Sequence, residues 1–216
     1  MRRSTVIKAL VGVMAIGVLG VLFVRSARNV GAEPYTIARD RLAEWTLGFD
    51  SAADVSGVML ALWPQSNLAA PLFSQLFTRS GLSLNGPSPV AMPVVLKSEF
   101  DQAVAGALAP EALLALARAA GLESAPPVPL CMATRRVSQP GSTREVFFLR
   151  LEQPSFDEFR RQLLQQIRAA GGSADRFDPA GLSPVVILAA SDEGFGSWWP
   201  LRAEATSDCL APIVVQ

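Results

Sequence analysis

The chain has 216 residues, half of them apolar and 18 % charged, a globular balance and not a disordered or collagen-like one. It contains no histidine, which excludes every His-based triad, His general base and His-ligated metal, and its two cysteines are too few for a four-cysteine zinc or iron–sulfur centre. The 19 bases cancel the 19 acids, yet Arg2, Arg3, Lys8, Arg25 and Arg28 fall in the first 32 residues, so the remainder carries 14 bases against 19 acids and offers no basic face to nucleic acid.

Residues 9–24 read ALVGVMAIGVLGVLFV, without a charge. Extended back to Val6 across Lys8, whose stem can snorkel, the run reaches 19 residues. A bilayer core takes a helix of about 17–25 residues, so 6–24 is expected to span the membrane. Val30-Gly31-Ala32 also supplies the small residues of a signal-peptidase site. Arg25 and Arg28, lying between the apolar run and that site, favour an uncleaved anchor. The larger number of bases before the run places the N-terminus inside, and puts the remaining chain in the periplasm of a Gram-negative cell. The organisation expected is an anchor or signal peptide at 1–28, a linker at 29–35 and one extracytoplasmic domain at 36–216.

Along that domain, TIARDRLAEWTL at 36–47 predicts a short helix, with Ile37, Ala38, Leu42 and Trp45 near one side. Residues 55–63 predict a strand, with Gly57 marking a bulge or close approach. A helix is expected over 67–80 from the stripe Leu72, Phe73, Leu76 and Phe77, ended by Gly81. GLSLNGPSP at 81–89 is a loop, and Val90–Leu96 a strand bent by Pro93. Ser98 is placed as N-cap of a helix over 98–108, with Asp101 three residues on, and Pro110 opens a second helix stopped by Gly121.

Residues 130–137 and 145–151 flank SQPGSTR and predict a β-hairpin. Ser155-Phe156-Asp157-Glu158 matches a capping box opening a helix. Its core stripe is Phe156, Phe159, Leu163, Leu164 and Ile167, with Arg160, Arg161, Gln165 and Arg168 assigned to the other side. PVVILAA at 184–190 reads as a buried strand, and strand–helix–strand order predicts it parallel to 145–151. SDEGFGSWWP is a loop, and Ala211–Val215 a last strand. The fold class is therefore α+β: an N-terminal transmembrane helix followed by a single mixed-sheet sandwich with helices mainly on one face.

Few residues carry legible chemistry. Asp192, Glu193 and Asp208 are the carboxylates available for acid–base work in the C-terminal region. No G-x-S-x-G elbow, S-x-x-K, P-loop or dinucleotide fingerprint is present. Phe195, Trp198 and Trp199 are concentrated in one glycine-containing loop. Such a loop suits a partner surface, a sugar face or a membrane interface when exposed, and plugs a core when buried. Alternation sets the two tryptophans on opposite sides, so one is expected to be buried either way. Cys131 and Cys209 allow one intramolecular pairing, and an oxidising compartment predicts that they are joined. No cofactor and no metal are expected. The reading that follows is a membrane-anchored extracytoplasmic binding or scaffolding domain of the bacterial cell envelope, reaching the membrane through 6–24 and an envelope protein through its aromatic loop. The alternatives are a periplasmic hydrolase using the three carboxylates, and a cleaved, secreted ligand-binding domain.

Overall fold

The computed structural model describes residues 33–203 and 208–216, together with Met14, Ile16, Gly17, Val18 and Gly20, which are helical. Among the described residues no helix is long and apolar enough to cross a membrane. Apart from those five positions, the predicted span 6–24 lies outside the described residues, as does the cleavage motif at Val30-Gly31-Ala32.

The domain is α+β, with two sheets where the sequence predicts one. A curled five-stranded sheet has the order β1-β8-β5-β6-β7, and a three-stranded antiparallel sheet the order β2-β3-β4. The strands are β1 Tyr35–Ile37, β2 Trp45–Phe49, β3 Val58–Pro64, β4 Met92–Leu96, β5 Val128–Gln139, β6 Ser142–Glu152, β7 Val185–Ala190 and β8 Cys209–Val215. The helices are α1 Ala53–Ser56, α2 Ala69–Ser80, α3 Lys97–Glu99, α4 Pro110–Ala119 and α5 Phe156–Ala169. One edge strand of each sheet is bonded outside its own ladder. Asn85 bridges the outer edge of β7 at Ala190, and the Arg160 guanidinium donates to the Val94 carbonyl on β4.

The stretch 36–47 is not a helix. Tyr35–Ile37 pairs parallel with β8, Arg39–Leu42 is a 3-10 turn, and Trp45 begins β2. Of the predicted apolar side, Ile37, Leu42 and Trp45 are buried and Ala38 is exposed, and the buried three lie on two strands and the turn between them. Three and four residues of helical spacing and a strand–turn–strand spacing coincide over so short a window.

Several local signals hold. Gly81 and Gly121 follow α2 and α4 with positive φ, and Pro110 occupies the first turn of α4. The hairpin closes through Pro140-Gly141, where Gly141 takes φ 83°. A proline followed by a left-handed glycine is the type II turn pattern. Two predicted caps do not form. Ser155 makes no side-chain capping bond, and Glu158 instead accepts from Arg161 and Gln162. The start of α5 is fixed by Gln153, which accepts from the Ser155 and Phe156 amides. Helix α3 begins one residue before Ser98, and Glu99 accepts the Leu96 amide at 3.0 Å.

Strands β6 and β7 are neighbours but antiparallel, a correction to the predicted crossover. The chain after α5 first runs back along the helix. Asp178 and Pro179 carbonyls are bound there by Arg160, so β7 starts beside the end of β6, where the Leu151 amide donates to Pro184.

Alternation in the five-stranded sheet serves two cores. Phe147 and Leu149 on β6 enter the main core with Leu72, Leu76, Phe159 and Leu163. Val146 and Phe148 face the opposite way, with Val185 and Ile187. Among the described residues no long helix packs on this second face; Trp198 and Leu201 from the loop after β7 cover it.

Candidate functional site

The loop at the end of β7 is where the aromatic residues singled out in the sequence come together. Ser191 fastens its start: its amide donates to the Glu145 carbonyl, and its hydroxyl accepts the Glu145 amide at 2.9 Å. A 3-10 turn follows over Phe195–Trp198. Asp192 lies beneath it, paired with Arg144 and accepting the Trp198 indole N–H at 3.2 Å. The Arg144 guanidinium also covers the Trp198 ring, 4.7 Å from its centroid. These contacts hold the Asp192 carboxyl below its ordinary pKa, the Arg144 hydrogen bond being the main cause.

The two tryptophans divide their tasks. Trp198 is buried and fills the second core. Trp199, emerging on the other side, is half-buried and lines an open cleft. Two glycines allow this loop to close on the turn at α1. A Cβ on Gly196 would fall 2.8 Å from the Val55 carbonyl oxygen, a distance no side chain tolerates. Gly57, at φ 75°, sits against the Trp199 ring, where a Cβ would lie 3.4 Å from Cδ1. Gly57 thus answers to its left-handed φ at the end of α1, with the aromatic loop in ordinary contact, and the β3–β4 register shifts just beyond it, between Val58 and Leu60.

The cleft has a volume of about 540 Å3 and lies between the α1 turn, the loop 86–91 and the loop 193–199. Trp63, Phe195 and Trp199 supply aromatic wall; Val55, Pro89 and Ile187 supply aliphatic surface. Trp63 is held over Gly48, its indole N–H donating to the Gly48 carbonyl at 3.2 Å. Among the described residues, the ionisable side chains in the lining are Asp50 and Glu193. Asp50 Oδ1 accepts the Ala52 amide at 2.8 Å and so shapes the turn. Glu193 is exposed and lines the cleft.

The three sequence-selected carboxylates are not brought together. Asp192 is committed to Arg144 and Trp198, and Glu193 faces the cleft. Asp208 lies at the start of β8, paired with Arg135 at 3.4 Å, its carbonyl accepting the Thr134 amide. Strands β5 and β6 stand between it and β7, three inter-strand steps of about 4.8 Å each. Of the aromatic candidates, Phe195 and Trp199 share the cleft and Trp198 supports it from behind. Sequence reading missed Asp50, Val55 and Trp63. The Trp63-Pro64 strand end was the only local signal there, and it does not name its neighbour. Cys131 and Cys209 form the predicted disulfide, with Cα atoms 5.8 Å apart.

The chain matches no family model, and neither curated proteins nor solved structures show significant similarity to it.

Proposed function

We propose that this chain is a membrane-anchored binding domain of the bacterial cell envelope, tethered through 6–24, and that it takes its ligand in the cleft beside Trp199. The supporting observation is the cleft itself. Its volume of about 540 Å3 falls among small-molecule sites, which are mostly apolar with a few placed polar groups. Its walls come from three separated parts of the chain. The loop bearing Phe195 and Trp199 is fixed from behind by Arg144, Asp192 and Trp198, so the wall is formed before a ligand arrives.

The test is binding of a neutral aromatic probe, 4-phenyl-1-butanol, to the full-length protein in lipid nanodiscs. Trp63 and Trp199 report through their fluorescence, with empty nanodiscs as blank. Saturable binding is expected, weakened about tenfold or more by Trp199→Ala, since lost aromatic contacts dominate such sites. Binding that is not saturable, or that is indifferent to Trp199→Ala, overturns the reading.

A further inference from the structure

The charge of the cleft narrows the ligand class, and this step rests on the binding reading above. The lining combines three aromatic rings with two carboxylates and no base. Aromatic faces are electron-rich and attract cations, most strongly where water is partly excluded. Carboxylates add attraction of the same sign. The base nearest the loop is Arg144, and it is directed away from this role: it pairs with Asp192, donates to the Ser197 hydroxyl and covers Trp198. Asp50 uses Oδ1 within its own turn, and no cation of the described residues pairs with it or with Glu193. Lys97, the base at the α1 turn, pairs with Asp54 and Asp101, so among the described residues the two cleft carboxylates have no ion-pair partner. Residues 33–216 carry five more acids than bases, so the field of the whole domain draws the same sign of ligand inward.

We propose that the cleft binds a small organic cation, an amine or quaternary ammonium carried on an apolar body, with Trp63, Phe195 and Trp199 enclosing the body and Asp50 and Glu193 facing the charge. An anion would meet two carboxylates, and a neutral ligand would leave both without a counter-charge. Specificity of this kind comes as much from excluding the wrong charge as from attracting the right one.

Three probes of one body and three charges test it: 3-phenylpropyl-trimethylammonium, 4-phenyl-1-butanol and 4-phenylbutyrate. Each is titrated into the full-length protein in nanodiscs by tryptophan fluorescence. The cation is expected to bind about tenfold more tightly than the alcohol, and the carboxylate more weakly than either. Glu193→Gln should cut the preference for the cation over the alcohol severalfold; raising the salt should act in the same direction. Equal affinity for cation and alcohol, or a preference that survives Glu193→Gln combined with Asp50→Asn, overturns the cation assignment while the cleft stands. Failure of all three probes to saturate removes the cleft reading and this one with it.

Discussion

Asp192 illustrates how one carboxylate changes role with its surroundings. Read in the sequence beside Glu193, it is a possible acid–base group. In the fold it is a fastener, joining Arg144 on β6 to the Trp198 indole and so holding the aromatic loop. Its carboxyl is depressed below the ordinary value of 3.8, first by the Arg144 hydrogen bond. A carboxylate with a lowered folded-state pKa contributes stability that is complete above its unfolded pKa and lost as the pH falls through the folded one. Wild type should therefore be more stable than Asp192→Asn at pH 7, and the gap should close as the pH drops below about 4. Urea unfolding of both proteins across that range checks it; a gap independent of pH would show that Arg144 does not depend on the charge of Asp192. The aromatic members of the site were legible because Phe195, Trp198 and Trp199 crowd one loop of the chain. Asp50 and Trp63 were not, because their place at the cleft is decided by packing between distant segments, and neither stands out among its sequence neighbours.

At the scale of elements, Arg160 is the residue that joins what the two sheets keep apart. Sequence reading assigned it to solvent by residue type, although it lies four residues from Phe156 and three from Leu163, within the apolar stripe of α5. Its side chain is fully buried, and all five guanidinium N–H groups are used. They reach Glu99 after β4, the Val94 carbonyl on β4, and the Asp178 and Pro179 carbonyls of the returning segment. Phe177 and Phe156 flank the guanidinium, with centroids 4.7 and 5.9 Å away. Removing one partner of such a pair leaves the other buried and uncompensated, so Arg160→Ala should cost about 3–5 kcal/mol. Lysine cannot reproduce the planar fork, and Arg160→Lys should recover little of it. Combining Arg160→Met with Glu99→Gln should be less damaging than the separate losses add up to. Denaturant melts of wild type, Arg160→Ala, Arg160→Lys, Arg160→Met, Glu99→Gln and the double variant decide it, and a loss under about 1 kcal/mol for Arg160→Ala would reduce the cluster to an ordinary surface pair. The remaining strand edges are closed by the same polar means. Gln75 both accepts the Thr36 amide and donates to the Thr36 carbonyl on β1, while Glu123 accepts the Leu47 amide on β2. Helices α2, α4 and α5 and the hairpin were readable from period, glycine and proline. These polar closures were not, since a glutamine or a buried arginine carries no periodic signal.

For the whole molecule, the longest covalent constraint is the bond between Cys131 and Cys209. It ties β8 to β5 across a sequence separation of 78 and sits on the face plugged by Trp198. Strand β8 in turn pairs with β1, so the cross-link secures the start and the end of the domain through one strand. Arg79 adds a clamp at the same side, donating to the Glu33 and Pro34 carbonyls where the chain leads into β1, and covering the Tyr35 ring at 4.2 Å. The pairing was legible because there were only two cysteines; the arrangement of two sheets was not, because strand pairing between distant segments, such as β1 with β8, leaves no local signal in the sequence. In the chain-entropy account, closing a loop of this length stabilises by roughly 4–5 kcal/mol, an upper value that residual unfolded structure lowers. Cys131→Ala combined with Cys209→Ala should therefore lower the thermal midpoint by several degrees or more, with β1 and β8 losing amide protection before β6 and β7. The bond also bears on compartment, since such cross-links persist outside the reducing cytosol. Protein taken from its own membranes, denatured with an alkylating agent and no reductant, should show no free thiol, and two after reduction. Two free thiols at the first step would remove both the constraint and the extracytoplasmic placement proposed for the domain.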